Sequence, residues 1–267
     1  MTTKAKTTKA KTTKAKTTKA KKRARAYSVF TMFSKAVFDH IGLSFSRSAD
    51  NGQEGASNCD ASCKLWEVCY ASRMERIYKS LDSKLRRHFE IGPVGVLVRA
   101  IADLKPVPIR WARISIDGSV PSIARMNKRT ARAFIRLLRE FIRAVQALGA
   151  SVHLPVESLS KARDYRKALE GTGVVVRRTD QSDTIEDCLR SNDHRAFVVA
   201  KNGIHNGCVT KAEKAENIAY ARECAQKARD AGQTCVDCPA ISGSSLCGQC
   251  KACASPLVDL VIYAFHG

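Results

Sequence analysis

The 267 residues include 46 Lys and Arg against 25 Asp and Glu, 44% hydrophobic and 6% aromatic residues, 11 Cys, 15 Gly and 7 Pro, a composition that excludes disorder throughout and places the chain among folded globular proteins. There is no run of about 18 apolar residues and no apolar stretch behind the cationic N-terminus, so neither a spanning helix nor a secretory signal is predicted, and a cytoplasmic location is expected. The net charge of +21 favours a polyanionic partner, nucleic acid before an anionic membrane surface.

The first predicted unit is a cationic arm over residues 1–26. From Thr2 to Lys21 the unit Thr-Thr-Lys-Ala-Lys repeats four times. A period of five fits neither helix nor strand, and Ala as the one apolar residue buries too little surface to offset ordering entropy, so the arm is read as disordered. It carries Lys4, Lys6, Lys9, Lys11, Lys14, Lys16, Lys19, Lys21, Lys22, Arg23 and Arg25 with no acid, eleven of the net charges, which leaves ten on the body. These cations are candidate contacts to nucleic acid through counterion release, an affinity blind to sequence. A solvated low-complexity extension is the alternative.

In the body, strand-like and helix-like patterns alternate, the signature of βα units around a parallel sheet. The first strand is predicted over 37–45, followed by a Gly-, Ser- and Asn-rich loop over 46–58 and then by Cys59, Cys63 and Cys69. Loops after parallel strands carry function, and three thiolates leave one coordination position of a metal open. A zinc completed by His40 or His153, or reduced cysteines in a helix, are the other readings of this group. Helices over 61–89 and 95–104 lead to a second strand over 109–116.

The next helix, over 126–148, has the clearest period. Phe134, Ile135, Leu138, Phe141, Ile142, Val145 and Leu148 share one side, and Arg125, Arg129, Arg132, Arg136, Arg139 and Arg143 share the opposite one. At 1.5 Å per residue this stripe runs about 27 Å, a candidate track for phosphates as well as a solvated outer face. A third strand over 151–156 ends near His153 and Glu157, a weak acid–base candidate, since a strand histidine is commonly just hydrogen-bonded. A helix over 159–169, a strand over 173–179 and a short helix over 184–189 follow, with Asp180 and Asp183 between the last two. Asp183 reads most simply as a helix cap. A strand over 195–200 and a helix over 211–230 complete the domain of residues 27–234.

Residues 235–256 form a Cys-rich segment, and 257–267 hold a final strand. Cys235, Cys238, Cys247, Cys250 and Cys253 lie in sequence-local pairs, and a cytosolic chain keeps thiols reduced, so a metal site is read before disulfides. Zinc and an iron–sulfur cluster both accept four thiolates, and either would fasten a segment poor in apolar residues. The fold class is α/β. A partial (β/α)6 TIM-like barrel with the Cys-rich metal module is preferred, and an open doubly wound sheet is the alternative because strand order is not legible.

The residues 42–46, Gly-Leu-Ser-Phe-Ser, with Cys69-Tyr70-Ala71, the stretch Arg113-Ile114-Ser115-Ile116-Asp117-Gly118, Cys238-Pro239 with Cys247, Cys250 and Cys253, and the terminal His266-Gly267 resemble the phage gene product eighty-eight family. The resemblance covers most of residues 36–267 and leaves out the arm. More distantly the chain is similar to radical S-adenosylmethionine (SAM) enzymes, which use a partial (β/α)6 barrel and a Cys-x3-Cys-x2-Cys loop after the first strand to hold a [4Fe-4S] cluster that binds SAM. Here the second gap, Cys63 to Cys69, is five residues.

This resemblance implies that Cys59, Cys63 and Cys69 ligate a cluster, that Ser115, Asp117 and Gly118 lie near the SAM amino acid moiety, and that the second cysteine group holds an auxiliary cluster. A radical-SAM-like enzyme of a phage or mobile element, acting on nucleic acid or a substrate associated with it, is the implied function. A non-catalytic protein, stabilised by zinc or a cluster and binding nucleic acid, is the competing one.

Overall fold

The computed structural model describes residues 30–32, 40–45, 79–115, 120–180, 182–204, 209–239 and 250–265. Its strands are β1 (Phe30–Met32), β2 (His40–Leu43), β3 (Trp111–Ile114), β4 (Ser151–Val156), β5 (Val175–Asp180), β6 (Arg195–Val199), β7 (Cys235–Asp237) and β8 (Leu260–Ala264). Its helices are α1 (Lys79–Asp103), α2 (Lys128–Ala147), α3 (Leu159–Ala168), α4 (Ile185–Leu189) and α5 (Lys211–Asp230). These elements make an α/β fold around one sheet, in the order β1-β2-β3-β4-β5-β6-β8-β7. β1 lies antiparallel on β2, and every other pairing is parallel.

Each strand predicted in the body has its counterpart, with ends moved by a few residues. β1 and β7 were not foreseen, because three residues are too few to show a period. Cys235–Asp237, placed by the sequence in the metal segment, is thus also the edge strand of the sheet. α1 joins the ends of two predicted helices: Gly92, at φ 68°, interrupts the helical backbone just ahead of Pro93. The start of the first of those helices, with the rest of residues 46–78, lies outside the described residues, as does the arm.

Helix boundaries follow local chemistry. The Asn127 side chain accepts from the Thr130 backbone N–H at 2.9 Å and starts α2, and Ser158 does the same for α3. Thr184, rather than Asp183, caps α4 by accepting from the Asp187 N–H. Thr210 and Glu213 form a reciprocal capping box on α5, satisfying N–H groups that a helix start leaves unpaired. α2 buries Phe134, Leu138, Phe141, Ile142 and Val145, the apolar side predicted from its period. Phe134 meets Phe45 and Tyr165 edge-on at 5.5 and 6.4 Å between ring centroids.

The strand order determines which face of the sheet each connection covers. From β2 to β6 the chain advances one strand at a time in one direction, and right-handed crossovers then put every connecting helix on the same side. The core agrees: Ala112, Ile114, Leu154, Val156 and Val176 pack with α1, α2 and α3, and Phe197, Val199, Leu260 and Ile262 pack with α4 and α5. The register keeps all these strand residues on one face. The described helices therefore all lie on one face of the sheet, the helix face, opposite the open face. β1 and β7 are the sheet edges and do not pair among the described residues, so the sheet is not a closed barrel.

Only β8 reverses the direction, by inserting between β6 and β7. The same handedness then sends the β7–β8 connection, the Cys-rich segment, across the open face, where Ala252 and Val258 pack on Val261. Arg177 of β5 holds it there. Its guanidinium is fully buried and donates through Nε to Cys253 O at 3.2 Å, through Nη1 to Arg195 O and Asp259 O at 3.0 and 3.1 Å, and through Nη2 to Ala252 O, Ser255 O and Val258 O at 3.0 to 3.3 Å.

On the helix face the counterpart is Arg195, also fully buried, which donates to the backbone carbonyls of Asp193 and Cys188 and to Gln233 Oε1. Beside it, burial pushes the Asp193 carboxyl up, but hydrogen bonds from Arg178, Ser191 and Arg166 outweigh this and hold it well below the usual carboxylate range. Stability from Asp193 is therefore present above the unfolded carboxylate value and lost as the pH falls below about 4. Replacing Arg177 with Met strands buried carbonyls; the urea midpoint is expected to fall by the equivalent of about 3–5 kcal/mol, with hydrogen-exchange protection disappearing first over 252–259.

Candidate functional site

Strands buried on both faces of a parallel sheet are ordinarily apolar throughout. The open face departs from this. β3 presents Trp111 and Arg113 to it, followed by Ser115; β4 presents His153, β5 Arg177, and β8 Tyr263. The register sets Arg113 beside His153 on adjacent strands, which lie about 4.8 Å apart in any sheet. The Trp111 and His153 rings are 5.6 Å apart and tilted.

These groups have unusual electrostatics. Burial drives His153 well below its ordinary value, and the charges of Arg113 and Arg177 push it further, so the ring is neutral near neutral pH. His153 Nε2 and Arg113 Nε are buried and have no hydrogen-bond partner among the described residues. Burial pushes the Tyr263 hydroxyl well above its ordinary value, with Cys253 and Cys238 adding to the shift, and the hydroxyl oxygen sits 2.7 Å from Cys253 Sγ. Ser115 is buried and held at φ 68°, in the left-handed region that a residue with a side chain rarely adopts. Its N–H donates to Leu43 O at 2.6 Å. Strain of this kind collects where a fold positions a ligand.

The cysteines divide between the two faces. Cys238, Cys250 and Cys253 gather on the open face around Val261 and Tyr263. Cys235 points the other way, into the helix-face core with Cys224 and Cys188, and burial pushes its thiol up to about 12. Of the predicted ligands of the second group, Cys238, Cys250 and Cys253 thus share one face of the sheet and Cys235 does not. Among the described residues no three His, Cys, Asp or Glu are gathered at metal-binding distance. Cys247 lies outside those residues, as do Cys59, Cys63 and Cys69 and the predicted cofactor contacts Asp117 and Gly118.

Of the arginine stripe, Arg125, Arg129, Arg132, Arg136 and Arg143 are exposed. Arg139 instead donates to Ala168 O at 2.7 Å and Glu170 O at 3.2 Å, so it fastens the end of α3 rather than facing a ligand. The pairing of His153 with Glu157 is not made: Glu157 forms a close ion pair with Lys161. Asp180 accepts from Arg178 at 2.8 Å and from the Ser182 N–H at 2.9 Å, a structural assignment.

Sequence reasoning missed Arg113, Arg177 and Tyr263. The available signal was a cation or hydroxyl inside an otherwise apolar strand, as in Val174-Val175-Val176-Arg177. Such a residue faces either solvent or a site, and sequence alone does not distinguish them.

His153 and His88, the latter lowered to about 4 chiefly by burial, both refuse a proton that the unfolded chain accepts near pH 6.5. Stability must then fall as the pH drops from about 6.5 towards 4. Urea midpoints across that range are expected to decline with acid, less steeply in His153→Gln; midpoints that rise with acid contradict the assignment. Comparison of the chain with known protein families, with curated proteins and with solved structures finds no match.

Proposed function

We propose that the protein is an iron–sulfur enzyme of the radical SAM type, acting on nucleic acid or on a substrate carried by it. The observation that supports this best is the single winding of the sheet. β2, β3, β4, β5, β6 and β8 lie parallel in that order, with helices on one face and a polar, partly unpaired group on the other. Curved, this winding is a partial (β/α)6 barrel, whose working surface is the open face and the carboxyl ends of its strands. The segment that carries Cys59, Cys63 and Cys69 follows β2 in the chain.

Those three thiolates would hold a cluster, whose chemistry would be one-electron transfer to bound SAM. The chain's own part is positioning. Ser115, fixed in a strained backbone at the end of β3, with Asp117 and Gly118 just after it, orients the SAM amino acid moiety. Trp111, Arg113 and His153 line the open face and orient the substrate away from bulk water. Cys238, Cys247, Cys250 and Cys253 fit a second soft-metal site, cluster or zinc, with Arg177 holding their segment against the sheet.

One observation favours a second reading. The five exposed arginines of the stripe form no ion pair among the described residues, whereas an ordinary solvated face mixes in acids. With the arm, they suit a protein that binds nucleic acid and uses its metal only as a staple.

Anaerobic purification followed by iron, zinc and sulfide analysis, with electron paramagnetic resonance of the reduced protein, separates the two. Iron and sulfide with a signal that shifts on adding SAM, and no shift after Cys59, Cys63 and Cys69 are replaced by Ala, is the expected result. Zinc without sulfide and without a SAM response overturns the enzyme reading and leaves the second. For nucleic acid, replacing Arg129, Arg132 and Arg136 with Gln is expected to flatten the log–log salt slope by about 0.9 for each phosphate that is no longer neutralised; an unchanged slope removes the stripe from the interface.

A further inference from the structure

We infer that the open face holds a binding site for an oxyanion, a phosphate or a carboxylate, between β3 and β4, with Arg113 and His153 as its two ligand-binding side chains. The inference depends on the enzyme reading only in treating the anion as part of a substrate. The site itself needs no cluster.

Arg113 and His153 are register partners on neighbouring strands and project to the same face, so one ligand group can meet both. The Arg113 Nε–H is buried without an acceptor among the described residues, and His153 Nε2 is in the same position on a side chain only 4% exposed. Buried polar atoms in folded proteins are almost always paired, and for Arg113, half-buried with its Nε out of water, the usual partner of such a cation is a carboxylate. None is supplied here: among the described strand residues the open face carries no Asp or Glu, since Asp180 and Asp237 lie on the helix face by register. Arg177, next along the sheet, adds a second buried positive charge, and its donors are taken up by backbone carbonyls, which neutralise no charge.

Among the described strand residues the result is a positive face without a carboxylate of its own, Asp259 acting on Arg177 from the segment before β8, with two buried polar nitrogens side by side. A planar guanidinium suits the oxygens of a phosphate or carboxylate, and the neutral imidazole supplies a second hydrogen bond without a second charge. Trp111, 4% exposed and stacked near His153, closes one side with an apolar ring. A sulfhydryl or metal ligand is disfavoured, because neither would answer the Arg113 charge with oxygen acceptors.

The test uses the full chain with Trp66→Phe, which leaves Trp111 as the sole indole of the two tryptophans. Inorganic phosphate and, separately, acetate are titrated into the millimolar range at neutral pH and fixed ionic strength, following Trp111 fluorescence and heat. Fixed ionic strength keeps the arm's screening constant. Saturable binding of phosphate identifies a phosphoryl group, and of acetate alone a carboxylate; either supports the site. Arg113→Gln is expected to weaken binding by about tenfold or more, Arg113→Lys and His153→Gln by less, and Arg136→Gln on the outer helix not at all. Circular dichroism of each variant confirms that it folds. No saturable response to either anion, or equal binding by folded Arg113→Gln, overturns the inference. Because no cluster is needed, phosphate binding without a SAM response would refute the enzyme reading alone, and the reverse would refute the anion site alone.

Discussion

The arrangement of the open face depends on one buried guanidinium. Arg177 forms no ion pair among the described residues; its donors are met by backbone carbonyls from 252–259 and from Arg195. Burial alone draws its affinity for a proton down, and Cys253, Tyr263 and Asp259 partly restore it. A charge in this setting is costly unless every donor is used. The geometry uses them by turning a short, apolar-poor segment into a ring of acceptors. Lys could not do so, since a single ammonium cannot reach acceptors spread across a planar fork. Holding the segment there also fixes where Cys250 and Cys253 sit relative to Tyr263.

The winding of the sheet explains why this face exists. A parallel sheet built in one direction is covered by helices on one side only, and its other side must be curled shut, packed against something or used. Here a single reversed connection covers part of it, reaching as far as β4 and β5, and Trp111, Arg113, Ser115 and His153 lie on the same face. A fold that invested these positions in apolar packing would gain stability from burial, so the polar set there is better explained by binding than by folding.

Much of this was legible in the sequence, and the parts that were not have physical reasons. Long periodic elements were readable, and α2 declares itself by Phe134, Leu138, Phe141 and Val145. Strand order was not, because it depends on which edges meet and not on any local pattern. β7 was hidden inside a cysteine motif. The cysteine spacing grouped Cys235 with Cys238, but strand alternation sends residues an odd number apart to opposite faces, and these two, three apart, separate accordingly. Arg139 read as one member of a stripe because periodicity reports a face and not a partner; the carbonyls of Ala168 and Glu170 come from the end of a different helix. Arg113 and His153 belonged to different strands with no sequence relation, and only the register joins them.

The position of β8 has a consequence for how the chain reaches this structure. It is synthesised after every strand that it joins, yet it lies between β6 and β7 rather than at an edge. Until residues 260–264 are available, β6 ends in an open row of unpaired amides and carbonyls, β7 has no neighbour, and the core built around α5 lacks Leu260 and Ile262. A nascent chain at that stage is a five-strand parallel sheet with a sticky side. Residues 256–265 therefore act as a lock, and removing them should turn a folded protein into one prone to associate with itself.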